Sequence, residues 1–182
     1  MTKIIAIAAM CLFVGGVANA QIKLGIDLGL QVPMGDFEKM AEVGLGGNVN
    51  GEYAITENIG AGLSIGYYKF SFKDNGFGED ESFTVTPVAL NGKYYFMTEG
   101  LKPYAGLDLG MYFLSSTFEN SEVKGKFGLA PVVGLQYDFS DNMAINANVK
   151  YNYIMAGEKE ELGADALTSF GINVGVVYTL GN

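Results

Sequence analysis

The chain is predicted to be all-β, an eight-stranded, antiparallel, up-and-down transmembrane β-barrel. Three observations predict this: apolar residues recurring at every second position, eight such stretches separated by turn-forming residues, and connections that alternate between long and short. Ile22, Leu24, Ile26, Leu28 and Leu30 alternate with Lys23, Gly25, Asp27, Gly29 and Gln31. Ala105, Leu107, Leu109, Met111 and Phe113 do so against Tyr104, Gly106, Asp108, Gly110 and Tyr112. The pattern returns from Met143 to Tyr153 and from Phe170 to Leu180. A helix would repeat every 3.6 residues, and these stretches do not.

Turn signals place the strands at 22–31, 44–55, 59–72, 82–96, 103–117, 126–139, 143–155 and 167–180. Most exceed the roughly 9–11 residues that a tilted strand needs to cross a bilayer. Long connections cover 32–43, 73–81, 118–125 and 156–166, and short ones cover 56–58, 97–102 and 140–142. A barrel with its N-terminus in the periplasm, long loops outside and tight turns inside has this order and an even strand count. Pro87 and Pro131 fall within strands, where each removes a ladder hydrogen bond, so a bulge is expected at each. In the fourth strand Val85, Pro87 and Ala89 compete with Val88 and Leu90, which leaves its facing open. Lys69 lies in the outward phase near the outer end of the third strand, where it can snorkel to the interface. At mid-bilayer it would cost about 2–4 kcal/mol.

A soluble, lipocalin-like barrel would put the apolar phase inside, around a ligand. The composition favours the opposite. The polar phase is rich in Gly, Asn, Asp, Lys and Glu, and small residues suit a narrow lumen crowded by side chains. Aromatics gather near strand ends, as in interfacial girdles: Tyr53, Tyr94, Phe96, Tyr137 and Phe139 at the inner side, Phe70, Phe72, Phe113 and Tyr153 at the outer. Trp is absent, and with it the G-x-W that lipocalins carry near the first strand.

The first twenty residues read as a cleaved secretory signal. Lys3 supplies the positive start, residues 4–17 the apolar run, and Ala18-Asn19-Ala20 the cleavage site before Gln21. The expected organisation is therefore a signal peptide over 1–20 and one barrel domain over 21–182. The one cysteine, Cys11, falls in the signal, so the exported domain would be stabilised without disulfides. The formal charge is −9 with no arginine and no histidine. Nucleic acid is excluded as a partner, because its phosphates require cationic contacts.

Three stretches carry a resemblance to a known family: Pro103-Tyr104-Ala105-Gly106-Leu107-Asp108-Leu109-Gly110, the preceding Asn91-Gly92-Lys93-Tyr94-Tyr95-Phe96, and Ala147-Asn148-Val149-Lys150-Tyr151. With them the region 21–182 resembles the small outer-membrane barrels typified by OmpX and the N-terminal domain of OmpA, in the form common among Bacteroidota. The resemblance implies residence in outer-membrane lipid and insertion by the barrel-assembly machinery. That machinery commonly reads a C-terminal aromatic, whereas this chain ends Tyr178-Thr179-Leu180-Gly181-Asn182.

Enzymes built on such barrels generally use histidine as a base or nucleophile partner, and this sequence has none. No metal-ligand cluster, phosphate loop or dinucleotide fingerprint is visible, and no cofactor is expected. The candidate site is the inward polar phase: Lys23, Asp27, Glu52, Lys93, Asp108, Asp138 and Lys150, among Asn48, Asn50, Gln136, Asn146, Asn148 and Asn152. Charges in so narrow a lumen must pair. Lys93 and Asp108, on strands joined by a short turn, are the first candidate pair. Such a network is read as structural, with an ion gate as the alternative. Thirteen of the 20 acids fall in the long loops. They suggest a solvated surface, or a divalent-cation site at 74–81 (Asp-Asn-Gly-Phe-Gly-Glu-Asp-Glu), which lacks the EF-hand ligand order. The expected role is structural or surface-interacting, as a monomer with an unidentified surface ligand. A narrow conduit for ions or small solutes is the alternative.

Overall fold

A computed structural model describes residues 21–73, 82–116, 123–155 and 166–180. Its strands are β1 (Ile22–Met34), β2 (Gly44–Ala54), β3 (Ile59–Ser71), β4 (Ser82–Tyr95), β5 (Leu101–Ser116), β6 (Lys124–Asp138), β7 (Met143–Met155) and β8 (Ala166–Leu180). Each pairs antiparallel with its chain neighbours, and β8 closes on β1. The short connections are tight for local reasons. Thr56 Oγ1 accepts the Asn58 and Ile59 amides at 3.2 and 3.0 Å, Gly100 supplies a φ of 65°, and Ser140 Oγ accepts the Met143 amide at 3.1 Å.

The register fixes the barrel's shape. Stepping from partner to partner gives Leu24, Gly51, Leu63, Leu90, Leu109, Leu129, Tyr153, Thr168 and then Met34. One circuit thus returns to β1 ten residues further along. With about 3.3 Å per residue and about 4.8 Å between strands, this offset corresponds to a tilt of about 40°. A barrel of eight strands at that tilt has room inside only for side chains.

The expected bulges do not form. On both sides of Pro87 and Pro131 the ladders keep one register: Ile65 with Val88 and Tyr68 with Val85, then Leu129 with Tyr153 and Val132 with Lys150. The opposite ladders run straight through, pairing Pro87 with Tyr112 and Leu107 with Pro131. A strand residue's N–H faces one neighbour only. Each proline therefore interrupts one side and needs no extra residue.

Facing follows the period-two pattern. The apolar phase is outside, with Leu28 75% and Leu90 68% exposed, the reverse of a soluble ligand-binding barrel. In β4 the odd phase faces inward: Phe83, Val85, Ala89, Asn91 and Tyr95 are buried and Leu90 is exposed. Tyr94, Phe96, Tyr137 and Phe139 are exposed at the turn-bearing end, as a girdle requires. Phe113 and Tyr153 are exposed toward the other end. Phe70 departs from the expected girdle. It shares the inward phase of β3 with Tyr68 and is 2% exposed, while Phe72 packs half-buried against the same cluster.

Candidate functional site

The lumen is built in layers. Nearest the periplasmic turns lies a buried carboxylate, Glu52 on β2. Lys93 Nζ approaches its Oε2 at 2.8 Å, Lys23 Nζ its Oε1 at 3.1 Å, and the Tyr95 hydroxyl donates to it at 2.9 Å. The Lys23 ammonium also stands 4.4 Å over the Tyr95 ring, and that of Lys93 5.3 Å from the Tyr104 ring centre. Beside them Lys102 pairs with Asp138, to which the Gln136 amide donates at 3.4 Å.

The expected pair of Lys93 with Asp108 is not made; Lys93 joins Glu52 and Asp108 joins Lys150. The cause lies in the residues flanking Lys93, which are Gly60 on β3 and Gly106 on β5. A Cβ at Gly60 would stand 2.7 Å from the Glu52 carboxyl carbon, and one at Gly106 would stand 3.2 Å from Lys93 Cγ. The two glycines form a slot through which the lysine crosses in front of β3 to β2. Asp108 then takes Lys150 at 3.0 Å, with small Ala130 of β6 paired to it.

Asp27 is buried without a lysine in ion-pair range among the described residues. Its two oxygens accept the Asn50 amide at 2.5 Å and the Asn146 amide at 2.9 Å, and Asn146 accepts the Tyr104 hydroxyl at 2.9 Å. Above this level Asn48 donates to Tyr68 at 2.6 Å, Tyr68 to Asn173 at 2.8 Å, and Asn173 to Asn148 at 2.9 Å. Asn152 reaches Gln31 at 2.8 Å. All seven candidate residues thus belong to lumen hydrogen-bond or ion-pair networks. The sequence reading missed Lys102, Asn173 and the tyrosines Tyr68, Tyr95, Tyr104 and Tyr112, the last of which donates to Asn152 at 3.4 Å. Strand phase could have supplied them, since Tyr95 shares that of Lys93, and Tyr104 and Tyr112 share that of Asp108.

Toward the extracellular end the polar column stops. Phe70 and Phe83 stack with centroids 5.1 Å apart, and Phe37 tilts onto both at 5.4 and 5.7 Å. Phe37 comes from a single 3-10 turn, Phe37–Lys39, in the β1–β2 connection. Val85, Tyr112, Ile154 and Leu167 complete the apolar lid. Among the described residues, three cavities at and below the lid measure about 10 to 20 Å³ each, the size of a water. The acidic stretch 74–81 lies outside the described residues.

A closed eight-stranded barrel with an apolar exterior and a paired polar interior is an outer-membrane architecture. The outer membrane protein beta-barrel domain family matches residues 4–179. The chain belongs to this family. As an outer-membrane barrel it has solved structural neighbours of the same kind. Neisserial surface protein A superposes with a TM-score of 0.63 at 16% identity, covering 90% of this chain and 99% of its own. OprG of Pseudomonas aeruginosa gives 0.58 at 15%, covering 92% and 99%. Ail, the attachment invasion locus protein of Yersinia pestis, gives 0.54 at 23%, covering 88% and 97% in its complex with the heparin analogue sucrose octasulfate. At these identities the likeness is one of fold. An uncharacterized Haemophilus influenzae protein is 25% identical over 123 residues, 63% of this chain and 67% of its own.

Proposed function

We propose that this outer-membrane barrel is a sealed, non-enzymatic scaffold whose role is structural or lies in surface contacts made by its extracellular loops. The observation that carries the reading is the lid of Phe37, Phe70 and Phe83 above a fully paired ionic layer. Passage through such a lumen would require breaking both. The loops hold 13 of the 20 acids, so a cationic or metal-bridged partner suits them better than a polyanion. Ail, crystallised with sucrose octasulfate, offers no ligand analogy for loops of this sign. Cleavage after Ala20, insertion by the barrel-assembly machinery and a monomeric state belong to the same reading.

Planar-bilayer recording of the refolded region 21–182 tests it. Silence across a voltage ramp is expected. Discrete, reproducible steps would overturn the sealed reading in favour of a narrow conduit, which draws its support from the polar column below the lid.

A further inference from the structure

Asn91 is the next inward residue along β4 from Lys93. Its Oδ1 has no hydrogen-bond partner, although the residue is only 6% exposed. Among the described residues no other buried side-chain oxygen or nitrogen is left in that position. A buried oxygen without a donor is costly, so what surrounds it matters. Asn91 pairs with Gly62 on β3 and Asp108 on β5, and a Cβ at Gly62 would stand 3.0 Å from the orphan oxygen. The oxygen therefore leans over Gly62, as Lys93 leans over Gly60. The lysine meets Glu52 beyond its slot, whereas the shorter Asn91 meets no donor.

Asn91 lines a cavity of about 20 Å³ together with Asp27, Asn50 and Asn146. Asp27 brings a carboxylate that is 4% exposed and has no lysine in ion-pair range among the described residues. Its oxygens accept the neutral amides of Asn50 and Asn146, which commits those donors, and the Tyr104 hydroxyl is committed to Asn146. Lys93 and Lys150 line the same cavity, but Glu52 holds the first at 2.8 Å and Asp108 the second at 3.0 Å. The wall thus carries one carboxylate whose charge is met only by neutral groups, and one carbonyl oxygen met by nothing.

We infer that Asp27 and Asn91 hold a monovalent metal cation such as Na+ in this cavity. A hard cation takes carboxylate and amide oxygens as ligands, and these are what the wall leaves over. A single carboxylate without a counter-charge matches a single positive charge. No cluster of three metal-ligating acids exists among the described residues, which argues against a divalent ion. A water would satisfy the Asn91 oxygen but would leave the Asp27 charge among neutral partners. The volume admits one water-sized body. The site lies within the lumen and is independent of the loop role proposed above.

The test compares the region 21–182 refolded in sodium chloride with the same region refolded in choline chloride, whose cation is too large for the cavity. Refolding in each salt lets the ion enter before the lid closes. Urea unfolding in phosphatidylcholine vesicles, at constant ionic strength across mixtures of the two salts, gives the folded-to-unfolded ratio. Once the site is saturated, that ratio should rise about tenfold for each tenfold rise in sodium, as linkage at one site requires. Asp27→Asn should abolish the dependence. Asn91→Ala removes an oxygen that has no partner, so it should fold, and it should move the onset to higher sodium. Equal ratios in the two salts at every concentration would overturn the inference and leave a water as the occupant. An unchanged sodium dependence in Asn91→Ala would overturn it too, by placing the ion elsewhere.

Discussion

Lys93 reaches past its own ladder neighbours to Glu52, 2.8 Å away on a strand it does not pair with. The two strands are joined through their side chains across β3. Glu52 in turn holds two lysines, so the three positions are not equivalent. Glu52→Gln leaves both ammonium groups buried without a counter-charge and should cost about 3–5 kcal/mol, the range for a broken buried pair. Lys93→Met leaves Lys23 on the carboxylate and should cost less. Urea unfolding in lipid vesicles, followed by heat-modifiable migration, gives the order. A larger loss for Lys93→Met than for Glu52→Gln would contradict the shared arrangement.

Gly60 makes that crossing possible. Gly60→Ala should destabilise by about 1–3 kcal/mol through overpacking, because the new Cβ meets the Glu52 carboxyl at 2.7 Å. Gly92, which faces outward with nothing within 4 Å of such a Cβ, is the matched control. Gly92→Ala should stay within about 0.5 kcal/mol of wild type.

Phe37 seals the extracellular end from a loop. Phe37→Ala should remove about 3–5 kcal/mol if the loop stays docked, and less if it releases. Native-state hydrogen exchange at Ala41 and Glu42 separates these outcomes. Their amides bond to the Phe37 and Ser71 carbonyls at 3.1 and 2.9 Å, and should lose protection only on release. The ionic layer below remains, so the variant should still be silent in a planar bilayer.

Leu28 sits midway along β1 and is the most exposed of the outward apolar side chains. Leu28→Lys should cost about 2–4 kcal/mol, whereas Ser71→Lys at the outer rim should cost no more than about 1 kcal/mol. Equal penalties from vesicle-based unfolding would remove the depth assignment on which the lipid-facing wall rests.

Much of the barrel is legible in the sequence, because a strand's faces repeat every two residues and each inward residue has an outward neighbour. That rule located the eight strands and placed Lys23, Glu52 and Lys150 inside. It also contained the answer for Phe70, since Lys69 faces outward and its neighbour must turn in. An aromatic near a strand end also fits a girdle, and position alone does not separate the two. The partner of Lys93 was less accessible. Periodicity gives the face of a residue but not its reach across the lumen, which depends on where glycines open a slot. The Phe37 lid had no periodic signal at all, because a single 3-10 turn in a connection leaves none.

The constant register on both sides of each proline has a consequence for assembly. With no bulge to absorb an error, a strand that zips up one residue out of step turns its lumen side chains into hydrocarbon. For β1 that would expose Lys23 and Asp27 together. An error of two residues keeps the faces correct and escapes that check, but it moves Glu52 about 7 Å along its strand, away from both lysines. Lipid rejects odd errors and the buried charges reject even ones. The lumen network would then serve as a proofreading device, selecting a single closure from those that eight similar strands could form.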